Sequence, residues 1–112
     1  MNKAEKFDRA LREVASFSRI ISHPARLAIL KYLAETRSCV SGDISDFIPL
    51  SRTTVSQHLK ELRNAGLIQG EIEGTKINYC LNLEVIEKNY KKFKKFFAVI
   101  REAEVICNTS HK

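Results

Sequence analysis

The stretch Leu50 to Ile68, LSRTTVSQHLKELRNAGLI, presents two different surfaces when it is projected as a helix. One surface is an apolar stripe of Val55, Leu59 and Leu62. The opposite surface carries hydroxyl, amide and basic groups: Thr53, Gln57, Lys60 and Asn64, with Arg52 and Ser56 on one flank. Arginine can pair with guanine, glutamine with adenine, and serine or threonine with either, and the same groups can hold phosphates. The helix has the chemistry to read DNA, although any surface helix has a polar face.

Three cysteines could carry a second chemistry, and packing, metal and redox roles are all open to them. Cys39, Cys80 and Cys107 are widely spaced and odd in number, which does not suit the disulfide framework of a secreted domain. A reducing cytosol would keep them as thiols. Cys80 falls on the polar side of an alternating stretch with Lys76 and Asn78, where a cysteine that only packs is less common.

The composition indicates one cytoplasmic domain with a polyanionic partner. The chain has 112 residues, 44% of them apolar, which suffices for one modest core. Lysine and arginine outnumber the acids 19 to 13, and the formal net charge is +6. No apolar run approaches the roughly 18 residues of a membrane span, and the start MNKAEKFDRALREV is unlike a signal peptide. We therefore expect no membrane partner.

The first third of the chain is predicted to form two helices. Apolar residues recur at helical spacing from Lys3 to Ile21, without glycine or proline. The Ser22 hydroxyl can cap a second helix that Pro24 begins, since proline costs no hydrogen bond in a first turn. The face of this helix that we expect in the core comprises Leu27, Ala28, Ile29, Leu30 and Leu33.

The middle of the chain is predicted to contain a short strand, a short helix, a tight turn and a longer helix. Val40 marks the strand, and Asp43 or Ser41 can cap the short helix that Pro49 ends. The longer helix extends from its Ser51 cap to Gly66, a residue suited to a helix C-terminus.

A hairpin and a last helix complete the predicted elements. Apolar and polar residues alternate from Ile68 to Leu81, with a turn at Glu73-Gly74. The last helix is expected to reach toward Cys107, followed by a frayed tail, NTSHK. Its lysines form either a solvated face or an extra source of attraction to DNA: Lys88, Lys91, Lys92, Lys94 and Lys95.

Two helices joined by a short turn and followed directly by a hairpin form the order of a winged helix-turn-helix, whose second helix enters the major groove. The predicted fold class is mainly α with a small β-hairpin wing, in one domain covering residues 1–112. Within it, we assign residues 43–65 to the helix-turn-helix, 67–82 to the wing, and 1–21 and 83–107 to dimerisation helices.

Three stretches in this order resemble the ArsR/SmtB family of bacterial repressors: HPARLAILKYL, LSRTTVSQHLKELRNAGLI and EIEGTKINYCL. The resemblance implies a homodimeric repressor that binds a palindromic operator in double-stranded DNA. It also implies release when an effector binds, often a metal or metalloid ion. By motif match, base contacts would come from Arg52, Thr53, Ser56 and Gln57, and backbone contacts from Lys60, Arg63 and Lys76.

Two further residues, Thr54 and His58, complete the expected DNA-binding set. His58 is placed by helical projection beside the core stripe, so it either supports packing or contacts a phosphate.

The first and last helices offer more apolar surface than a small domain needs, which independently favours a dimer. The residues expected at the dimer interface are Phe7, Leu11, Val14, Phe93, Phe97 and Ile100. Cys107 is expected on the apolar stripe of the last helix, at the same seam, as a small hydrophobic residue, with a redox or cross-subunit role left open.

The cysteines limit which effector the resemblance allows. Metal-sensing members carry C-V-C near the short helix, whereas this chain has CVSGD, so Ser41 stands in place of the second thiol. A soft ion favours about three or four thiolates. Other members bind zinc or nickel through histidines on the last helix, but no histidine lies between His58 and His111.

Cys39 and Cys80 are predicted to lie side by side on one sheet face, because the strand before the turn pairs with the second hairpin strand in winged helices. Such a pair could form a reversible disulfide or, with a third ligand, bind a thiophilic ion. The alternative is that they are two unrelated small residues. We therefore expect no fixed cofactor, with a thiophilic metal or metalloid as a candidate effector.

Two other classes of function compete with a DNA-binding repressor. A dimeric protein-interaction module could keep the winged helix without operator binding, but its helix would not need a polar, basic face. A thiol enzyme or metallochaperone is disfavoured because the chain has no C-x-x-C pair and no Gly-rich phosphate loop. We predict that the protein is not an enzyme.

Overall fold

The computed structural model describes residues 6–36, 39–73 and 76–107. Its helices and strands are, in chain order, α1 (Arg9–Ile20), α2 (Pro24–Thr36), β1 (Val40–Asp43), a 3-10 helix (Ser45–Phe47), α3 (Arg52–Asn64), β2 (Ile68–Glu73), β3 (Lys76–Leu81) and α4 (Leu83–Arg101). The predicted class, mainly α with a small β wing, is confirmed. Among the described residues, no helix combines the length and the apolar character that crossing a membrane requires.

The strands form one antiparallel sheet in the order β1-β3-β2. Val40 pairs with Tyr79 between β1 and β3, and Gln69 pairs with Cys80 between β2 and β3. The predicted pairing of the short first strand with the second hairpin strand is confirmed. The predicted turn at Glu73-Gly74 cannot be compared, because Gly74 lies outside the described residues.

The core lies between α2, α3 and the sheet. Its buried apolar side chains are Ile29, Leu33, Ile44, Ile48, Val55, Leu59, Leu62, Leu67 and Ile68. The predicted stripe of α3, Val55, Leu59 and Leu62, is entirely inside this core. A helix that buries this stripe must turn its opposite face outward.

Both ends of α3 are fixed by the residues that the sequence predicts. At the start, the Ser51 hydroxyl accepts a hydrogen bond from the Thr54 amide at 3.3 Å. At the end, Gly66 adopts a φ of +82°, which a side chain would disfavour. Its amide donates to the Arg63 carbonyl at 2.9 Å, and the Leu67 amide donates to the Leu62 carbonyl at 3.0 Å. This turn leads the chain directly into β2.

The helices α1 and α4 pack against each other on the other side of the molecule. Phe17 meets Phe93 edge to face, with 6.1 Å between ring centroids. The Lys92 ammonium lies 3.3 Å from a carboxylate oxygen of Glu13. The Asn82 side chain caps α4 by accepting from the Val85 amide at 3.3 Å.

The first helix begins later than its apolar pattern predicts. The helix α1 begins at Arg9, and Phe7 lies before it with 60% of its surface exposed, whereas the predicted start at Lys3 lies outside the described residues. Asp8 occupies the N-cap position in a non-helical conformation, and its carbonyl accepts the first bond, from the Arg12 amide at 3.1 Å. The Asp8 side chain makes no capping hydrogen bond, so the structure gives no cap that explains the late start.

The predicted cap of the second helix is wrong. The Ser22 hydroxyl donates to the Arg19 carbonyl at 2.8 Å and therefore serves the end of α1. At the start of α2, the His23 carbonyl instead accepts from the amides of Arg26 and Leu27. Pro24 is the first residue of the helix, as predicted.

The predicted core face of α2 is also partly wrong. Leu27 is 49% exposed, whereas Arg26 is only 9% exposed. Arg26 is buried because its guanidinium has partners on two other helices, described below.

The short helix after β1 is a single 3-10 turn, and its N-cap position is held by Ile44 instead of Ser41 or Asp43. Pro49 lies two residues beyond this turn, and a proline disfavours helical geometry in the residue before it. The tight turn into α3 is therefore preceded by less helix than the sequence predicts.

The last helix ends at Arg101, six residues before Cys107. Glu102 and Glu104 would place negative charge at the negative end of the helix, which opposes its extension. Cys107 is exposed beyond the helix, so its predicted place on the apolar stripe of α4 is wrong. The predicted frayed tail, residues 108–112, lies outside the described residues.

Candidate nucleic-acid interface

The outer face of α3 gathers most of the residues predicted to contact DNA. Burial of the Val55, Leu59 and Leu62 stripe forces this face into solvent. Its exposed members are Arg52, Thr53, Thr54, Gln57, Lys60 and Arg63, and Ser56 is half-buried on the flank. One helix face thus combines three bases with hydroxyl and amide groups. For Lys76, the structure describes the β3 backbone, and its side chain lies outside the description.

Two of these polar groups also bond within the helix. The Thr54 hydroxyl oxygen accepts from the Ser51 hydroxyl at 2.9 Å, next to the capping bond. The Gln57 amide donates to the Glu61 carboxylate at 3.4 Å, a long bond on an exposed surface. Thr54 therefore takes part in the N-terminal cap of α3. Gln57 can break its weak hydrogen bond to Glu61 and form hydrogen bonds with a base edge instead.

Arg26 links three helices and was not identified from the sequence. Its Nε donates to Nδ1 of His58 at 3.0 Å, and its Nη1 donates to the Ile20 carbonyl at 3.1 Å. A single guanidinium on α2 thus connects the end of α1 to α3. The sequence carries one signal of this role, a lone arginine within the apolar run HPARLAIL. An arginine that is buried with such a run needs hydrogen-bond partners for its charge.

His58 is positioned by this arginine. Burial lowers the pKa of His58, the Arg26 and His23 charges lower it further, and Glu61 opposes the shift. The neutral imidazole accepts at Nδ1, which places its proton on Nε2. The rings of His23 and His58 lie 5.4 Å apart. Of the two roles predicted for His58, these contacts support packing, and a phosphate contact stays a prediction.

Cys39 and Cys80 are joined by a disulfide, with 4.3 Å between their Cα atoms. The predicted proximity of the two residues is confirmed, although a reducing cytosol was expected to leave them as thiols. The register explains the pairing, because Val40 faces Tyr79 and the next residue pair outward is Cys39 with Cys80. Cys39 is exposed and Cys80 is half-buried.

These cysteines do not fit a soft-metal site in this state. Their sulfurs are bonded to each other, so neither offers a thiolate. Within residues 6–36, 39–73 and 76–107, no group of three or more His, Cys, Asp or Glu side chains is arranged to hold a metal ion. Ser41, at the position of the second thiol, is exposed on β1.

The residues predicted for dimerisation lie on α1 and α4 or beside them. Phe7, Leu11, Phe97 and Ile100 are large exposed hydrophobic residues, whereas Val14 and Phe93 are half-buried. A groove of about 460 Å³ runs along the outer side of α1, lined by Phe7, Leu11, Arg12, Ala15, Ser16 and Arg19.

The lysines of α4 are partly paired with neighbouring side chains and otherwise exposed. Lys92 pairs with Glu13, and the Lys94 ammonium lies 5.9 Å from the centroid of the Tyr90 ring. Lys88, Lys91 and Lys95 are exposed. These contacts suit the predicted solvated face, and an added attraction to DNA stays a prediction.

Comparison with known proteins places these features in a family. The family model described as bacterial regulatory protein, arsR family, matches residues 23–69, from just before α2 into β2. The HTH-type transcriptional regulator YgaV of Escherichia coli is 28% identical over 86 residues, which cover 77% of this chain and 87% of YgaV.

Two other relatives are more similar over shorter stretches. The uncharacterised HTH-type transcriptional regulator MJ1325 of Methanocaldococcus jannaschii is 37% identical over 71 residues, 63% of this chain and 75% of MJ1325. The HTH-type transcriptional repressor SmtB of Mycobacterium tuberculosis is 38% identical over 63 residues, 56% of this chain and 46% of SmtB. From the winged helix-turn-helix and these matches together, we conclude that the chain belongs to the ArsR family of bacterial regulatory proteins.

Proposed function

We propose that this ArsR-family protein is a DNA-binding transcriptional repressor that acts as a homodimer on a palindromic operator. The observation that carries the proposal is the polar, basic face of α3, turned outward by the burial of Val55, Leu59 and Leu62. The names of its relatives, transcriptional regulators and a repressor, agree with this function. Both the family and the face favour it over an interaction module without operator binding. The family is one of regulators, and we assign the protein no catalytic step.

The helix α3 would lie in the major groove of DNA, as the second helix of a helix-turn-helix does. Arg52, Thr53, Ser56 and Gln57 would then contact base edges, and Thr54 would approach the backbone from the start of the helix. Lys60 and Arg63 would hold phosphates, with Lys76 of the wing on the neighbouring backbone. The net charge of +6 would add a salt-dependent attraction to any duplex. Because the target is DNA, we place the protein in the cytoplasm.

The dimer would form through the exposed apolar residues of α1 and α4. Phe97 and Ile100 are 41% and 52% exposed on α4, and large apolar residues grouped on one surface mark interaction sites more often than scattered ones do. A two-fold axis would place two copies of α3 about 34 Å apart, one turn of DNA. This spacing is the physical reason to expect a palindrome.

The effector of this repressor would act on the thiols. A thiophilic ion would need Cys39 and Cys80 in their reduced forms together with a third donor. An oxidant needs only the two sulfurs, which the fold already places within bonding distance of each other. We therefore propose that the oxidation state of these two sulfurs, rather than the binding of a metalloid, sets the affinity for the operator.

The proposal is tested by selecting sites from a randomised duplex library with the full-length protein. We expect enrichment of a palindrome whose half-sites lie about 10 base pairs apart. The matched variants are Arg52→Ala/Lys60→Ala, which removes two charges from α3, and Lys31→Ala, which removes an exposed charge from α2. The first should enrich no site and the second should enrich the wild-type site. Enrichment of nothing by the wild type would contradict the proposal.

A further inference from the structure

The Cys39–Cys80 disulfide closes a loop that contains the parts of the protein proposed to contact DNA. The two cysteines are 41 residues apart in sequence. Between them lie β1, the 3-10 helix, α3, β2 and most of β3, whereas α1, α2 and α4 lie outside the loop. We call residues 40–79 the reading loop. The reading loop is thus covalently closed when the Cys39–Cys80 disulfide is present and open when it is reduced.

The bond joins strands that already face each other. Non-hydrogen-bonded residue pairs in antiparallel strands have Cα atoms about 4.5 Å apart, and the Cys39–Cys80 separation is 4.3 Å. The register places Val40 opposite Tyr79, and Cys39 and Cys80 are the next residue on each side of that pair. Forming or breaking the disulfide therefore needs no change of register. The disulfide changes only the strength with which β1 is held against β3.

Among the described residues, β1 is held, apart from the disulfide, by its pairing with β3 and by Val40, which packs against the core. It has four residues and lies at the edge of the sheet, paired with β3 alone. Ser41 and Gly42 in its centre are exposed, and Gly42 has a φ of +129°, a conformation that regular strands do not use. Residues in such a strand open easily in solution. Reduction should therefore release β1 from the sheet part of the time.

Movement of β1 would reach α3 through the core. The strand leads directly into Ile44 and Ile48, which are buried together with Val55 and Leu59 of α3. Ile44 and Ile48 flank the 3-10 helix, which precedes the turn into α3. When β1 is released, α3 therefore loses part of its packing support. This is the helix that is proposed to enter the major groove of DNA.

We propose that hydroperoxides regulate operator binding through this disulfide, with the oxidised protein as the tighter binder. The proposal rests on the repressor function proposed above and names its regulation. The oxidised protein has the sheet and α3 assembled, so it binds DNA without the cost of ordering the reading loop. In the reduced protein, β1 is released from the sheet in part of the molecules. Binding of DNA by these molecules includes the free-energy cost of ordering the reading loop.

The chemistry can start at Cys39, which is exposed, and end at Cys80, which is half-buried beside it. The Cys39 thiolate attacks one oxygen of hydrogen peroxide, the O–O bond breaks, and the departing hydroxide takes a proton to become water. Cys39 is then a sulfenic acid. The Cys80 thiolate attacks the Cys39 sulfur, the S–S bond forms, the S–O bond breaks, and a second water leaves. Two thiols lose two electrons, and one peroxide becomes two waters.

The experiment uses the full-length protein carrying Cys107→Ser, because the exposed Cys107 could otherwise form bonds between molecules. Site selection is carried out with reduced protein and with protein treated with hydrogen peroxide. The affinities of both forms, and of reduced protein with arsenite, are then measured on the same selected duplex by fluorescence anisotropy. Intact mass records the loss of two hydrogens. We expect the oxidised form to bind about tenfold more tightly, within the usual range of coupling between two sites. Cys39→Ser and Cys80→Ser should bind like the reduced form with or without peroxide.

Equal affinities of the two forms, or tighter binding by the reduced form, would overturn the inference. So would peroxide treatment that leaves no intramolecular disulfide, or serine variants that bind as tightly as the oxidised protein. If both forms select a site and bind it equally, only the inference fails. If neither form selects a site, the proposed repressor function fails and the inference fails with it. Loss of binding with arsenite and none with peroxide would assign the cysteines to a metalloid instead.

Discussion

At the scale of single residues, Arg26 holds a permanent charge that is almost removed from water. Its guanidinium donates to the Ile20 carbonyl and to His58, so the end of α1 and the side of α3 depend on one side chain. Breaking such an arrangement leaves two half-buried acceptors without donors, which costs more than the bonds themselves contribute. Arg26 therefore stabilises the position of α3 without lying on the surface proposed to contact DNA.

Replacing Arg26 by methionine should lower the free energy of unfolding by about 2 to 3 kcal/mol, because a charged donor of two hydrogen bonds is lost while much of the apolar stem is kept. Urea denaturation followed by circular dichroism measures this difference. The matched control is Lys31→Met, at an exposed site on the same helix, which should change the value by less than about 0.5 kcal/mol. Equal effects of the two substitutions would show that the Arg26 bonds do not support the fold.

The pKa of His58 gives the fold a predictable dependence on pH. The folded-state pKa lies below the usual 6.5 because burial, then Arg26 and His23, disfavour the imidazolium, although Glu61 favours it. The unfolded chain therefore binds a proton more readily than the folded one, and stability falls as pH decreases below about 6.5 and through the folded pKa. Above 6.5 this contribution no longer changes.

The substitution His58→Gln tests this dependence, because a glutamine oxygen can still accept from Arg26 and does not titrate in this range. Urea midpoints measured between pH 5 and pH 8 should decline more steeply toward low pH in the wild type than in the variant. Parallel curves for the two proteins would mean that His58 is not the group responsible.

At the scale of elements, the disulfide should contribute strongly to the stability of the sheet and the reading loop. Closing a loop of this length, with a separation of 41 residues, removes chain entropy worth about 4 kcal/mol from the unfolded state. We therefore expect the reduced protein to unfold at a lower urea concentration than the oxidised protein. The double variant Cys39→Ser/Cys80→Ser should match the reduced protein, and Cys107→Ser should not differ from wild type. An unchanged midpoint on reduction would contradict this expectation.

The sequence predicts best the elements whose signals are local. The ends of α3 follow from Ser51 and Gly66, its buried stripe follows from the spacing of Val55, Leu59 and Leu62, and the hairpin follows from its alternation. The pairing of Cys39 with Cys80 was also predictable, because strand pairing in a winged helix fixes the register.

The predictions that failed depend on contacts distant in sequence or on the charge at helix ends. Leu27 has the apolar side chain of a typical core residue, but it is exposed. The hydrogen-bond partners of Arg26 on α1 and α3 decide which side of α2 is buried. Helical periodicity continues past Arg101, yet the acidic residues after it oppose a longer helix, so Cys107 is not on α4. The role of each DNA-contacting side chain stays a prediction, since it depends on a duplex that the sequence does not specify.

At the scale of the whole molecule, the apolar outer faces of α1 and α4 are the strongest support for a dimer. Phe97→Asp would place a charge within that surface and should shift the protein from dimer to monomer in light scattering after size-exclusion chromatography. Lys88→Asp, on the exposed lysine face of the same helix, is the control and should remain dimeric. A monomeric wild type, or a dimeric Phe97→Asp variant, would contradict the proposed interface.

In the proposed dimer, the outer face of each α3 would distinguish one DNA sequence from others, and its basic groups would supply the general attraction to DNA. Lys60 and Arg63 should contribute to every duplex, with an affinity that falls steeply as salt increases. Gln57 should contribute at one base position, by about 1 to 3 kcal/mol if its amide contacts a base with two hydrogen bonds.

The measurement that tests the central claim most directly is fluorescence anisotropy on a selected duplex and on the same duplex with its sequence shuffled, at one fixed salt concentration. We expect the wild type to prefer the selected duplex by at least about a thousandfold, as specific DNA-binding proteins do. Gln57→Ala should lose preference at one base position with little change on shuffled DNA. Equal affinity of the wild type for both duplexes would contradict the claim that the outer face of α3 reads DNA sequence.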